Sequence, residues 1–591
     1  MTSFALHLVT SRWFMVFATL LIMSANGSGY MFGLYSNDIK SVLGYDQSTL
    51  NLISFFKDLG GNLAILSGLI TEVSPPWMVL SIGAAMNFFG YFMIWMSITG
   101  HVVKPQVWQM CLYIWVGANS LSFPNTVALV TCGLIGLSGA ILTQLYHAIY
   151  GDDSKSLVLL IAWLPASVSL LFLRTIRIME GVRQPNELRV FFKFLYISLG
   201  VAGTLMAVII MQNKLRFNRI EYGLSAFLVL TLLFLSLLVV VKEELKSWKL
   251  KKQAMKDHTQ LGVITENPPS PEPELVSNEN QAAAEVKPYS CCLNMFKAPN
   301  TGEDYTILQA AFSINMIILF IATTCGVGGA LTTIDNLGQI GSSLGYPKHS
   351  IATFVSLMSI WNYLGRVLAG FGSEIFLTKY KLPRPWILTV VILLSSIGHL
   401  LVAFAIPNSL YFASIIIGFC LGAQLSLSVT IISELFGLKY YATLYNVIAL
   451  SSPLGSYIFN VRVAGRLYDK EAMKQIEALG LVREAGKELT CNGGRCYRTA
   501  FLVITAVTLF GSLVSFLLVL RTRGFYKTDI YKRFREEEAM AETEITSNGA
   551  TGNRTTTKME NDNASVSAAP ETTTNQKRFT DQVGNSTMLI L

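Results

Sequence analysis

Residues Gly326 to Leu377 read GVGGALTTIDNLGQIGSSLGYPKHSIATFVSLMSIWNYLGRVLAGFGSEIFL and repeat a pattern that begins near Gly27. Each copy has a glycine-containing apolar run, a polar link that ends in Leu-Gly-Tyr, and a second apolar run with small residues. At one constant offset the identical pairs are Gly27/Gly328, Ile39/Ile340, Ser41/Ser342, Leu43/Leu344, Gly44/Gly345 and Tyr45/Tyr346. A repeat of this length indicates duplicated helical halves, which in a membrane protein are typical of secondary transporters.

The composition is that of a membrane protein. The 591 residues are 52% hydrophobic and 14% charged, whereas soluble domains are about 25% charged. Many apolar runs reach the roughly 20 residues that a transmembrane helix needs, and they do not alternate as barrel strands do. Because lipid offers no partners for backbone groups, we expect these runs to be helices. The net charge of +8 lies beside the span ends, so it does not indicate nucleic-acid binding.

Fourteen spans are predicted, in groups of six, two and six. The first eight are 13–35, 50–70, 77–98, two within 106–150, 157–173, 190–211 and 222–241, and the last six are 305–332, 351–370, 386–405, 410–434, 442–463 and 499–520. The predicted domains are therefore a head (1–12), an N-terminal bundle (13–174), two extra helices (175–241), a loop (242–304), a C-terminal bundle (305–520) and a tail (521–591). The loop and the tail are too polar to bury a core, so we expect them to be disordered.

Basic residues set the predicted orientation. If the head is cytosolic, four basic links fall on the cytosolic side, as the positive-inside rule requires. These links are 174–189, 242–256, 379–384 and 521–535. The segment 464–498 is then non-cytosolic, where Cys491 and Cys496 either close a small disulfide loop or remain two thiols. Which membrane holds the chain, the plasma membrane or an internal one, is not determined by the sequence.

Four long segments carry a family resemblance. They are RWFMVFATLLIMSANGSGYMFGLYS (12–36), GLSGAILTQLYHAIYG (136–151), SELFGLKYYATLYN (433–446) and SPLGSYIFNVRVAGRLYD (452–469). Over roughly residues 10 to 535 the chain resembles plant nodulin-like proteins of the major facilitator superfamily, of the nuclear-fusion-defective-like type. The resemblance implies an all-α major facilitator fold, with two pseudo-symmetric six-helix bundles and about two extra helices between them. It also implies alternating access and transport of a small solute, but not which solute. We take an organic anion or metabolite as the candidate solute and a proton as the candidate coupling ion.

The chain departs from the family between its fourth and fifth spans. Family members have a basic, hydrophilic connection there, but here Val130-Thr131-Cys132 continues directly into an apolar run. The distance from Gly44 to Gly139 is 95 positions, whereas that between the similar Gly345 and Gly455 is 110. Either the fourth span reaches Cys132 and no turn remains, or the turn moves to 122–125 and the fourth span shrinks to roughly sixteen residues. We therefore hypothesise impaired transport, and a non-transporting sensor or scaffold acting through the loop and tail is the alternative function.

Ionisable residues inside spans are the first candidates for function, because they are costly in lipid. Lys57 and Asp58 are adjacent in the second span, about 100° apart on the helix, so we do not expect them to face each other well. One alternative is a role in substrate binding or proton coupling, and the other is packing or a helix-end position. Arg462 would suit a carboxylate substrate if it were buried, or would snorkel to the interface if it were not.

A candidate gate lies in the second half. The segment that begins Gly365-Arg366 and ends at Glu374 resembles the superfamily's gating motif, in which the arginine and an acidic group form a latch. Gly365, Gly370 and Gly372 would allow close helix approach. In the first half only Gly68 and Glu72 of this motif remain.

Uncharged polar groups within spans are the remaining candidates for the substrate path. They are Asn26, Tyr30, Gln144, Tyr146, Asn362 and Gln424. Interhelical hydrogen bonding is the alternative use for each of them, and His147 is a weak candidate for a proton relay. The sequence shows no nucleophile–base set, metal cluster or nucleotide fingerprint, so we expect no cofactor, no metal and no enzyme activity, with a small solute and the lipid bilayer as partners.

Overall fold

Helices account for all the regular secondary structure in the part of the chain that the structure describes. The structure is a computed structural model of the protein. It describes residues 2–62, 74–119, 128–151, 153–176, 187–215, 217–261, 299, 301–480, 482, 487–528 and 530.

Among the described residues, the N-terminal half has eight helices, and two more follow before the second half. These are α1 (Thr2–Val9), α2 (Arg12–Ala25), α3 (Phe32–Leu43), α4 (Gln47–Asn62), α5 (Pro76–Thr99), α6 (Val107–Ala118), α7 (Ala128–Tyr150), α8 (Ser154–Leu171), α9 (Glu187–Lys214) and α10 (Arg219–Leu261). A short 3-10 helix, Ser28–Tyr30, lies between α2 and α3.

The C-terminal half has the same plan. Its helices are α11 (Ile307–Ala311), α12 (Ile314–Asp335), α13 (Leu337–Ser343), α14 (Lys348–Tyr380), α15 (Arg384–Phe404), α16 (Ser409–Phe436), α17 (Tyr441–Ala449), α18 (Ser451–Gly455), α19 (Arg466–Ala478) and α20 (Arg495–Lys527). A π-helix, Ser456–Gly465, joins α18 to α19 without a break.

Ten helices among the described residues are long and apolar enough to cross a membrane. The bent segment from Arg12 to Leu43 makes an eleventh, with a bend of 43° where the 3-10 helix interrupts it. The prediction of one uninterrupted first span over 13–35 is therefore wrong. The glycines after Asn26 were expected inside a helix, but they lie at this break.

The repeated Leu-Gly-Tyr ends a helix in the same way in both halves. Gly44 and Gly345 have φ of 62° and 78°, which favours glycine because a side chain is strained there. The following tyrosine N–H donates to the carbonyl five residues before it, at 3.1 Å for Tyr45 and 2.9 Å for Tyr346. This is a Schellman-type cap, so the repeated tripeptide is a local signal that ends one helix before the next begins.

The repeated glycines Gly27 and Gly328 permit equivalent close approaches of two segments in each half. A Cβ at Gly27 would lie 2.9 Å from the backbone nitrogen of Gly139, and a Cβ at Gly328 would lie 2.6 Å from the Cα of Gly455. Only glycine permits this approach of two backbones. Gly139 and Gly455, which the sequence comparison of the two halves treats as equivalent, therefore also occupy equivalent positions in the structure.

The structure contradicts the first alternative for the short connection, in which the fourth span reaches Cys132. α7 runs continuously from Ala128 to Tyr150, so no turn interrupts the apolar run after Cys132. The preceding helix α6 has 12 residues, whereas its counterpart α16 has 28. The proposed turn at 122–125 lies outside the described residues.

Three segments are helical where loops or tails were predicted. α10 continues to Leu261 although the loop was predicted from residue 242, α19 extends past the predicted span end at Val463, and α20 includes the start of the predicted tail. Contacts explain the first case: Trp248 on the extension of α10 packs edge-on against Phe4 and His7 of α1. Tertiary packing therefore stabilises a polar helix that composition assigns to a loop.

Candidate functional site

Lys57 lies at the centre of a buried charge cluster where the two halves of the chain meet. Its Nζ is 2.5 Å from Asp335 Oδ1 and 3.0 Å from Asp58 Oδ1, and it donates to the Gly29 carbonyl at 3.0 Å. The three charged side chains are 2%, 6% and 1% exposed for Lys57, Asp58 and Asp335. Because side chains this buried are not solvated by water, each charge must be stabilised by the opposite charges and hydrogen bonds around it.

Two serines complete the cluster. Ser54 Oγ donates to Asp335 Oδ2 at 2.5 Å, and Ser456 Oγ donates to Asp58 Oδ2 at 2.6 Å. Ser54 and Asp58 lie on α4 of the N-terminal half, whereas Asp335 and Ser456 belong to α12 and the π-helix of the C-terminal half. We call Lys57, Asp58, Asp335, Ser54 and Ser456 the central cluster, and every bond of its two carboxylates to a serine crosses between the halves.

The expectation that Lys57 and Asp58 would not face each other is wrong. Their Cβ atoms diverge on the helix, but the lysine ammonium sits on a flexible four-carbon stem and can reach back to its neighbour. The sequence reasoning also missed Asp335, because it ended the span at Thr332 and placed the aspartate in the following link. The sequence feature that could have identified Asp335 is its position as an acidic residue directly at the end of the repeated apolar run.

Arg366, in the C-terminal half, contacts the same 3-10 helix that Lys57 contacts. Its Nε donates to Asn362 Oδ1 at 3.1 Å, and its Nη2 donates to the Tyr30 hydroxyl at 3.1 Å. Tyr30 follows Gly29 in the 3-10 helix that breaks the first span, and Gly29 holds Lys57. One interrupted helix thus contacts two cations, and broken membrane helices of this kind form ion and substrate sites in transporters.

The predicted latch between Arg366 and Glu374 is replaced by a different ion network. Glu374 forms an ion pair with Arg384, whose Nε also lies 2.6 Å from Glu434 Oε1. Arg384 is fully buried, and Tyr526 donates to Glu434 at 2.8 Å. Arg366 and Glu374 are eight residues apart on one helix, a rise of about 12 Å, so their side chains reach different layers of the bundle.

The glycines of that motif differ in their surroundings. A Cβ at Gly365 would lie 2.2 Å from the Phe419 carbonyl of α16, so this glycine permits close packing. A Cβ at Gly370 would make an ordinary 3.6 Å contact, and one at Gly372 would meet no atom within 4 Å. The first-half motif residues Gly68 and Glu72 lie outside the described residues.

Two other candidates point away from the central cluster. Gln144 exchanges hydrogen bonds with Gln212 of α9 at 3.2 and 2.7 Å, and it accepts from Ser225 of α10 at 3.1 Å. It therefore fastens the extra helices to α7 rather than lining a path between the halves. Arg462 is exposed and lies 5.6 Å from the ring centre of Tyr457, so its placement as a buried carboxylate ligand is wrong.

The remaining polar candidates lie within the helix packing. Gln424 is fully buried against α12, where a Cβ on Gly326 would lie 2.2 Å from its Oε1. Asn26 ends α2 at the break of the first span. His147 stacks on Tyr222 of α10 at 5.0 Å and lies 4.7 Å from Tyr146, so it packs against an extra helix.

Cys491 and Cys496 form a disulfide in the structure, with their Cα atoms 5.9 Å apart. The loop they close lies at one end of the bundle, which we call the disulfide end. Tyr468 and Ser343 also lie at this end, where they receive hydrogen bonds from the backbone of Cys491 and Gly493.

Comparisons with known proteins agree with this architecture. The Nodulin-like family profile matches residues 12–241, and the profile described as NFD4, C-terminal domain, matches residues 303–528. The chain is 24% identical over 539 residues to Protein NUCLEAR FUSION DEFECTIVE 4 of Arabidopsis thaliana, which covers 87% of this chain and 89% of that protein. It is 30% identical over 159 residues to the Uncharacterized MFS-type transporter YhjX of Escherichia coli, which covers 26% of this chain and 38% of that protein.

The fold is also that of solved transporters. The crystal structure of peptide transporter POT in complex with sulfate superposes with a TM-score of 0.50 at 13% identity, and covers 87% of this chain and 95% of that chain. At this identity the likeness concerns the fold and not the substrate. The family assignment is consistent with the helix content, the membrane spans and both family profiles. The chain belongs to the Nodulin-like family of the major facilitator superfamily, with an NFD4-type C-terminal domain, and is a multi-pass integral membrane protein related to transporters.

Proposed function

We propose that the chain is a secondary active transporter that moves a small organic anion together with a proton by alternating access. The observation that carries the proposal is the buried contact of Lys57 with Asp335, which joins the N-terminal half to the C-terminal half. In alternating access the two halves rock against each other around a fixed site. A contact across the halves is remade in each cycle, so it is suited to coupling.

The charges of the site support a proton as the coupling ion. The central cluster contains one cation and two carboxylates, so it carries one excess negative charge when all three groups are ionised. Buried charges that lack a partner are costly, especially within a membrane. A proton bound by a carboxylate of the cluster would neutralise this excess and release Lys57 from one of its two partners.

Arg366 supports an anionic substrate. Its guanidinium donates to Tyr30, which lies on the same 3-10 helix whose Gly29 carbonyl accepts from Lys57. A proton bound by the central cluster would offset the charge of a monoanion that is taken up with it. The guanidinium also presents a planar donor set that matches a carboxylate. We therefore assign Arg366 and Lys57 to the substrate side, and Asp335 and Asp58 to the proton side.

The short helix α6 supports reduced transport in this chain. Its 12 residues rise about 18 Å, less than the roughly 30 Å of a hydrocarbon core. The counterpart α16, with 28 residues, is long enough to span the core. We infer that the rocking of the N-terminal half is limited on this side, so that uptake is slower than in a chain with a full fourth helix.

Reconstitution in proteoliposomes tests the proposal. Uptake of radiolabelled organic acids, amino acids and metal chelates is measured with and without an inward proton gradient. We expect the gradient to drive accumulation of an organic acid, Lys57→Gln to abolish it, and Asp335→Asn to retain exchange without accumulation. Lys193→Gln is the matched control, because Lys193 pairs with Glu243 on the extra helices, outside the central cluster.

Two outcomes would contradict the proposal. Uptake that is independent of Lys57 would remove the central cluster from the mechanism. No uptake of any solute, together with capture of a protein partner that depends on the tail, would favour the sensor or scaffold.

A further inference from the structure

The first turn of α4 is capped by a carboxylate from the opposite half of the chain. The backbone N–H groups of Gln47 and Ser48 donate to Asp469 Oδ1 and Oδ2, each at 2.9 Å, and Ser48 Oγ donates to Asp469 Oδ2 at 2.5 Å. Asp469 lies on α19, in the C-terminal half. The next N–H, that of Thr49, donates at 2.8 Å to Asp46 in its own half.

A carboxylate cap of this kind stabilises the N-terminus of a helix for two reasons. The first N–H groups of a helix have no partner within the helix, so a side chain or water must accept from them. A carboxylate is favoured there because the N-terminus of a helix carries a partial positive charge. Caps are usually supplied by the residue just before the helix. Here two of the three donors are satisfied only while the two halves are in contact.

The surrounding contacts hold Asp469 in this position. Gly465, one turn before it, brings its backbone against α4, since a Cβ there would lie 2.9 Å from the Cα of Ser48. Lys40 of the N-terminal half donates to Gln47 Oε1 at 2.9 Å and lies 4.5 Å from the ring centre of Tyr468. Closure at the disulfide end thus combines a helix cap, a close backbone approach and a cation–π contact.

The disulfide loop supports α19 from behind. The Cys491 N–H donates to the Tyr468 hydroxyl at 2.9 Å, and Gln475 exchanges hydrogen bonds with the backbone of Asn492, both at 2.9 Å. The Gly493 N–H donates to the Ser343 carbonyl at 2.8 Å. α19 is therefore fixed to its own half on one side and offers Asp469 to the other half on the opposite side.

We propose that Asp469 is the latch that closes the disulfide end of the transport path. Opening this end withdraws Asp469 from α4 and leaves the N–H groups of Gln47 and Ser48 to water. The strength of this cap therefore sets the ratio of the closed to the open state at this end. The inference rests on the proposed alternating access, but it concerns a conformational equilibrium that can be measured without a substrate.

Spin labels placed across the disulfide end test the latch in the full chain. Val42 on α3 and Leu479 at the end of α19 are exposed and belong to opposite halves. Each is replaced by cysteine for labelling, after Cys132, Cys291 and Cys292 have been changed to serine. Distances between the two labels are measured by pulsed electron paramagnetic resonance in lipid nanodiscs.

We expect Asp469→Ala to lengthen the distance and to lower the ratio of closed to open populations at least about tenfold, because the closed state then loses all three hydrogen bonds that the carboxylate accepts. Ser48→Ala, which removes one donor, should shift the ratio in the same direction by less. Asp46→Asn is the matched control, because it weakens a cap of the same helix within one half, and it should leave the distances unchanged.

Unchanged distances in Asp469→Ala and Ser48→Ala would overturn the latch. Equal shifts in Asp469→Ala and Asp46→Asn would overturn it as well, since the effect would then come from the stability of α4. If Asp469→Ala does not fold, the label distances in Ser48→Ala are compared with those in Asp46→Asn. A longer distance in Ser48→Ala alone supports the latch, and equal distances in the two variants overturn it. The label distances are measured without a substrate, so they do not depend on the result of the uptake assays. A wrong substrate assignment can therefore be distinguished from a wrong latch.

Discussion

Lys57 and Asp335 lie 278 positions apart in the sequence, and their side chains meet at 2.5 Å in the buried interface between the two halves. Lys57 also holds Asp58 and the Gly29 carbonyl at the break of the first span. One ammonium group thus connects α4, α12 and the interrupted first span. Substitutions in the central cluster change its net charge, and the resulting change in stability can be measured.

The first prediction concerns that balance and uses stability as its measure. Asp335→Asn leaves one cation and one carboxylate, so we expect little change in melting temperature. Lys57→Gln leaves two buried carboxylates without a counter-ion, and we expect it to destabilise the chain by about 3–5 kcal/mol. The double variant should lie between the two. Thermal unfolding in detergent gives this order, and equal losses for both single variants would contradict it.

The second prediction concerns the buried arginine at the start of α15. Arg384 contacts Glu374, Glu434 and Ser373, the last at 2.5 Å, and its planar donor set serves all three. We expect both Arg384→Lys and Arg384→Met to lower the melting temperature and the surface abundance strongly. Lysine lacks the planar, forked donor set that reaches both glutamates and Ser373 from this position, and methionine has no donor. Lys379→Gln is the control, since Lys379 is an exposed cation near the end of the preceding helix.

The triple variant Arg384→Met, Glu374→Gln, Glu434→Gln separates charge from packing. It removes the ions together, so we expect it to recover part of the stability that Arg384→Met loses. No recovery would mean that the arginine acts through its volume and not through its charge.

The third prediction compares two glycines of the same helix. Gly365→Ala forces a Cβ to within 2.2 Å of the Phe419 carbonyl, so α14 and α16 must separate, and we expect a clear loss of stability. Gly372→Ala meets no atom, and alanine favours a helix over glycine by up to about 1 kcal/mol. Parallel melting curves of the two variants test this, and an equal loss in both would show that packing at Gly365 is unimportant.

The fourth prediction concerns the short connection in the first half. Insertion of a basic hydrophilic link between Cys132 and Gly133 would separate the first turn of α7, residues 128–132, from the rest of that helix, so that these residues can extend the fourth span. We expect the insertion to raise both surface abundance and uptake. The same insertion within residues 262–298, which belong to the loop predicted from the sequence, is the control. If the insertion after Cys132 changes neither quantity, the hypothesis of impaired transport is wrong.

The sequence determined the features that depend on local chemistry. The Leu-Gly-Tyr caps follow from glycine at positive φ, and the spans follow from apolar length, since lipid forces a long apolar run into a helix. The repeat identified Gly139 and Gly455 as equivalent positions, and they lie against the repeated glycines Gly27 and Gly328, respectively. Lys57 and Asp58 were recognisable as candidates because a charge within a span is costly wherever it lies.

Only the tertiary structure decided which charges meet. Asp335 joined Lys57, Arg384 replaced Arg366 as the partner of Glu374, and Asp469 capped a helix of the other half. These pairs are separated by 278, 10 and 421 to 422 positions, and no periodicity relates their members. The physical reason is that a helical pattern fixes the face on which a side chain lies, whereas its partner is fixed by how complete helices pack against one another.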